Sequence, residues 1–184
     1  MHVRRYREAA QMAFDLVRNL QKLEAQLAVG PSTARGQGQG GIVNNLRESL
    51  FRVPLRRFSG IDDLRFATLL DTETDRIRRG LPPLARSWGL ARKCLNIFLR
   101  DCTYNVHLRK AFKLSSIEAL LEVPLDRKVV SEIKAEFPKR ALPFWRGVRH
   151  LDPGESEVFQ VAASEIATVW SIDRIHLDAA FWSR

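Results

Sequence analysis

Lys93 and Asp126 are the two side chains whose types and settings could do chemistry. Lys93 lies in Gly89-Leu90-Ala91-Arg92-Lys93-Cys94-Leu95-Asn96-Ile97-Phe98-Leu99-Arg100. On a helix beginning near Leu90, residues Ala91, Cys94, Leu95, Phe98 and Cys102 face the core, and Lys93, Asn96 and Arg100 share the polar face. Lys93 then falls in the first turn, where the positive end of the helix dipole disfavours an ammonium, and Arg92 pushes the same way. A lysine acting as a neutral amine needs such surroundings, because a free lysine is protonated at neutral pH. The same spacing also describes an ordinary solvated lysine.

Asp126 sits in Leu121-Glu122-Val123-Pro124-Leu125-Asp126-Arg127-Lys128-Val129-Val130, at the expected start of a helix. An N-cap aspartate stabilises its helix by ~1 kcal/mol. It also holds a carboxylate rigid, ionised and aimed out of the helix end. Arg127 and Lys128 then flank it in a position suited to phosphate. Periodicity leaves both readings open.

The elements that must position these groups read as helices. Tyr6, Ala9, Ala13, Leu16, Leu20, Leu23 and Leu27 recur at steps of three and four, one apolar stripe on a long helix that stops at Gly30-Pro31. A Gly/Gln-rich stretch at about 30–41 reads as a flexible loop, with no preceding strand to make it a phosphate cradle. Helical pattern resumes over Ile42–Val53, with Leu46 and Leu50 inward. Asp62 or Asp63 caps a helix carrying Leu64, Ala67, Leu70 and Ile77. After Gly80-Leu81-Pro82-Pro83 the segment Leu84–Tyr104 is helical apart from a tight turn near Trp88-Gly89. Ser115 or Ser116 caps a short helix, Asp126 caps Arg127–Phe137, Val158, Ala162, Ile166 and Val169 mark another helix, and Asp173 caps a last one through Trp182. No period-two alternation appears, so the expected class is all-α, a single domain over residues 1–184.

Thirty Lys and Arg against 21 Asp and Glu give a formal charge of +9 over 184 residues. Such a chain attracts polyanions, with nucleic acid the first expected partner; excess arginine serving only solubility is the plainer account. No stretch approaches ~20 uninterrupted apolar residues, and the basic N-terminus has no apolar run behind it, so the expected setting is intracellular, without a membrane partner. Cys94 and Cys102, on one helix, stand ~12 Å apart, too far for a disulfide. Two cysteines supply neither a Cys₄ zinc site nor an iron–sulfur cluster, so both read as buried filler, and no metal or cofactor is expected. Nothing near His176 reads as a metal-ligand set.

Gly89–Leu99 resembles the hairpin-to-helix segment of helix-hairpin-helix DNA glycosylases of the endonuclease III kind, and Lys93 falls on that family's Schiff-base lysine. Val123-Pro124-Leu125-Asp126-Arg127-Lys128-Val129 is similar to the turn presenting its catalytic aspartate. The 33-position separation of Lys93 and Asp126 suits the archaeal 8-oxoguanine glycosylase branch. His176-Leu177-Asp178-Ala179-Ala180-Phe181-Trp182 is similar to the segment with which that branch forms its base pocket, matching Asp178 and Trp182. The resemblance covers roughly 84–142 and 172–182. Departures are Ala91 where the family prefers a second glycine, and Arg127-Lys128 where it has Thr-His.

The resemblance implies a helix-hairpin-helix motif, a cleft between two helical lobes and a monomer acting on DNA. A flipped nucleotide would stack on Trp182 and donate an N–H to Asp178, Lys93 would attack C1′, Asp126 would stabilise developing positive charge, and Gly89, Arg92, Arg127 and Lys128 would hold phosphates. The excised base is expected to be an oxidised purine or a hypermodified phage cytosine, the latter making the protein antiviral. Two other classes remain open: a non-catalytic helical DNA-binding module, and an interaction protein pairing through its N-terminal stripe.

Overall fold

The computed structural model describes residues 2–30, 33 and 41–183, with side chains from 11 onward. Most of the Gly/Gln-rich loop, and the Tyr6 and Ala9 side chains, lie outside the described residues. The chain is all-α as expected, with no strand among the described residues. Its α-helices are α1 (His2–Leu27), α2 (Ile42–Phe51), α3 (Asp63–Gly80), α4 (Trp88–Tyr104), α5 (Val106–Phe112), α6 (Arg127–Glu136), α7 (Pro153–Trp170) and α8 (Leu177–Trp182). No described helix is long and apolar enough to cross a membrane.

Short polar side chains start these helices by satisfying orphan N–H groups. Asp62, Asp126 and Asp152 accept from the backbone N–H of Arg65, Val129 and Glu155 at 2.9, 3.0 and 2.8 Å. Ser87 accepts from Leu90 N–H at 3.1 Å. The Ser115/Ser116 cap is corrected: Leu114–Leu120 is a 3₁₀ segment entered through Lys113 in the left-handed region, without a side-chain cap. Asp173 precedes a 3₁₀ turn, Arg174–His176, that leads into α8, also without a cap bond.

The stripe on α1 is corrected too. Leu16, Leu23 and Leu27 are exposed, while Val17 and Leu20 pack on the core and Ala25, Ala28 and Val29 are buried. The inward face is thus turned by about one position. Polar Gln21 belongs to it, its amide Nε2 donating to the carbonyls of Phe51 and Val53 at 3.0 and 2.9 Å. On α3, Leu64 is exposed and Phe66 and Leu69 take the inward places.

Buried apolar residues form two clusters. One runs from Ala25 to Leu121 with Ile175 added; the other gathers Val123 to Phe181. Glu122 is the residue at which the chain passes from the first to the second.

Candidate functional site

Helix α4 begins at Trp88, capped by Ser87, so the break expected at Trp88-Gly89 falls earlier. Lys93 consequently lies in the second turn, and the first-turn placement is corrected. Gly89 is buried against the 3₁₀ turn Val148–His150: a Cβ there would stand 2.3 Å from Val148 O and 2.7 Å from Leu151 Cβ. Ser87 Oγ secures the same contact by donating to Arg149 O at 3.0 Å. Gly89 therefore serves close backbone approach, and its expected contact with phosphate is corrected.

Arg92 is corrected in the same way. It is only 7% exposed. Its Nε and Nη2 donate to Glu122 Oε2 and Oε1 at 2.8 and 2.9 Å, and Nη1 donates to Asp71 Oδ1 and Thr74 Oγ1 at 2.9 and 3.0 Å. Trp88 covers the guanidinium, 5.2 Å from its ring centroid. An arginine so committed has no fork left for a phosphate. Asn96, expected on the polar face, is buried and donates to Glu122 Oε2 at 3.0 Å. Burial alone would raise the Glu122 carboxyl, but the charge and hydrogen bonds of Arg92, with Asn96, hold it below the usual carboxylate range.

This clasp joins α4 to the segment ending in Asp126. Asp126 Oδ1 caps α6, and Oδ2 lies 3.4 Å from Lys93 Nζ. Both side chains keep partial access to a hollow of about 740 Å³, whose lining includes Trp145, Gly147, Arg127 and Trp182. Arg127 is exposed at its rim, and Lys128 pairs with Glu132 at 2.6 Å.

A second hollow, of about 340 Å³, shares Lys93, Asp126, Thr33 and Trp182 with the first and adds Ile97, Arg100, Pro124 and Asp178. Trp182 is 65% exposed, so core packing does not account for it. Asp178, one turn before it on α8, is buried and paired with Arg100. Arg100 also contacts Asp101 Oδ1 at 2.9 Å through Nε and through Nη2. Burial raises the Asp101 carboxyl, with Arg100 opposing. The Arg100–Asp178 pair spans 78 positions; nothing short of the fold would reveal it.

Away from the hollows, His176 stacks on Tyr104, with Nδ1 2.8 Å from the phenolic oxygen and Nε2 3.4 Å from Glu118 Oε1. Glu118, Asp173 and His176 bring ligand-type atoms within 4.8 Å of one another, which corrects the expectation that nothing near His176 does so. Arg109 already neutralises Glu118 there. Both cysteines are buried and free; burial pushes the Cys94 thiol up to about 12 and the Cys102 thiol well up.

No protein-family model, curated protein or solved structure matches this chain.

Proposed function

We propose that this chain is a DNA glycosylase of the helix-hairpin-helix kind, with abasic-site lyase activity, that flips out and excises a damaged or modified base. What supports it above all is the 3.4 Å approach of Lys93 Nζ to Asp126 Oδ2 beside a hollow that an exposed indole also lines. Two groups distant in sequence meet there, within reach of solvent, with the stacking surface a base needs. The formal charge of +9 suits duplex DNA. In this proposal α3, the turn at 81–87 and α4 are the helix-hairpin-helix, and the two apolar clusters are lobes on either side of the cleft.

The chemistry runs as follows. Phosphate contacts, Arg127 and Lys128 among them, hold the duplex while one nucleotide turns out of the stack. As the glycosidic bond lengthens, the ionised Asp126 stabilises positive charge on the sugar. Lys93 first gives up its ammonium proton to solvent, and the freed electron pair bonds to C1′. The bond to the base breaks, its electrons leave with the base, and the base takes up a proton. The new secondary ammonium loses its proton, the C1′–O4′ bond opens with O4′ taking up a proton to give an imine, and loss of a C2′ proton then expels the 3′ phosphate and nicks the strand.

Duplexes carrying 8-oxoguanine or a glycosylated hydroxymethylcytosine test this, with released base read by mass spectrometry. The wild type should free one class and Lys93→Gln should not. Tight binding with no release from any duplex would identify a non-catalytic module instead.

A further inference from the structure

Arg100 is a partly buried cation that the proposed chemistry leaves unused. It lines the second hollow together with Asp178, the Lys93–Asp126 pair, Ile97 and Trp182. Its side chain and that of Asp178 are 19% and 10% exposed, so both are largely desolvated and yet reach the hollow. Asp101 holds the guanidinium on one side through Nε and Nη2, and Asp178 takes a bond from Nη1. A guanidinium has five N–H groups, so donors on Nη1 and Nη2 remain beyond these contacts.

We propose that Arg100 is a specificity-determining residue, and that with Asp178 it reads a lactam edge, an N–H beside a carbonyl, on the base that enters the hollow. This rests on the glycosylase proposal for what enters. A guanidinium only donates, and a carboxylate paired with it only accepts. Side by side, they require a ligand edge with an acceptor next to a donor. A carbonyl oxygen offers two in-plane lone pairs to the two donors left on the guanidinium. The ring nitrogen of an amidine edge offers one. Oxopurines and oxopyrimidines therefore fit, and adenine-type and cytosine-type edges fit less well. Ile97 and the Trp182 indole supply apolar lining, leaving edge recognition to the ion pair.

Titrating the intact, ¹⁵N-labelled wild-type protein with single nucleosides tests this without any variant that might unfold. 2′-Deoxyinosine presents the lactam edge, 1-methyl-2′-deoxyinosine lacks its N–H, and 2′-deoxyadenosine presents an amidine. Deoxyinosine should shift the Arg100 side-chain and Trp182 indole signals and bind about tenfold or more tightly than either other nucleoside. Arg100→Lys, which keeps the charge and loses the fork, should erase most of that preference. Equal binding of the two inosines, or binding of none, overturns the proposal. Nucleoside discrimination with no base release from any duplex would sink the glycosylase proposal and leave the edge-reading pair standing.

Discussion

Arg92 grips Glu122 through two parallel hydrogen bonds, of 2.8 and 2.9 Å, and thereby ties the second turn of α4 to the segment that ends in Asp126. Lys93 follows Arg92 directly, and Asp126 lies four residues beyond Glu122. The distance between the two proposed catalytic groups is thus set by a buried pair that touches neither. Asp71, Thr74 and Trp88 hold the guanidinium from its other sides.

Breaking that clasp should cost stability with a definite pH signature. Glu122→Gln leaves a buried arginine short of its counter-charge and should destabilise the fold by roughly 3 kcal/mol at neutral pH, measured by urea unfolding. Because the folded Glu122 carboxyl titrates below its ordinary value, its contribution is present above the unfolded value of ~4.3 and is lost as pH falls through the folded one. The gap between wild type and variant should therefore narrow on acidification below about pH 4. A gap unchanged down to pH 2 would mean that the pair contributes no linkage.

Gly89→Ala should destabilise by about 1–3 kcal/mol, read as a lower denaturation midpoint, because the methyl group meets a backbone carbonyl and cannot swing away. A neutral result would show that the turn Val148–His150 moves freely off α4.

The α4 core is equally open to test through its thiols. Buried and with the Cys94 thiol pushed up to about 12, the cysteines should stay unmodified by a thiol reagent at pH 8 in the native protein, and both should react in urea. Labelling at native pH 8 on the timescale of mixing would contradict the packing described for α4.

Asp126 does two jobs that two variants separate. Asp126→Asn keeps a cap for α6 and loses the charge, so stability should hold while base release slows about a hundredfold. Asp126→Ala should show the same loss of release together with about 1 kcal/mol of destabilisation. Equal release by wild type and Asp126→Asn would remove the carboxylate from the chemistry.

Local chemistry was the legible part of the sequence. Asp62 and Asp126 announce their helices, Leu81-Pro82-Pro83 ends α3, and the Ala91, Cys94, Leu95, Phe98 and Cys102 face of α4 is buried as its spacing predicts. Phase was less legible: steps of three and four on α1 fit two neighbouring stripes, and only the helices it meets select Val17, Leu20, Gln21 and Ala25. Partners of charged groups on other elements were not legible at all. Arg92 reads as a basic surface residue until Glu122 and Asp71 are folded against it, and Arg100 has no visible link to Asp178. Pairing between elements, unlike the i, i+4 pairing of Lys128 with Glu132, has no period, so spacing carries no signal of it.

The central claim is that Lys93 is the nucleophile, and reductive trapping tests it most directly. Borohydride added during reaction with duplex bearing the excised base, or with an abasic duplex, should fix one covalent adduct. Peptide mass spectrometry should place that adduct on Lys93, and Lys93→Gln should yield none. An adduct mapped to another lysine, one that survives the substitution undiminished, or none from the wild type would contradict the account.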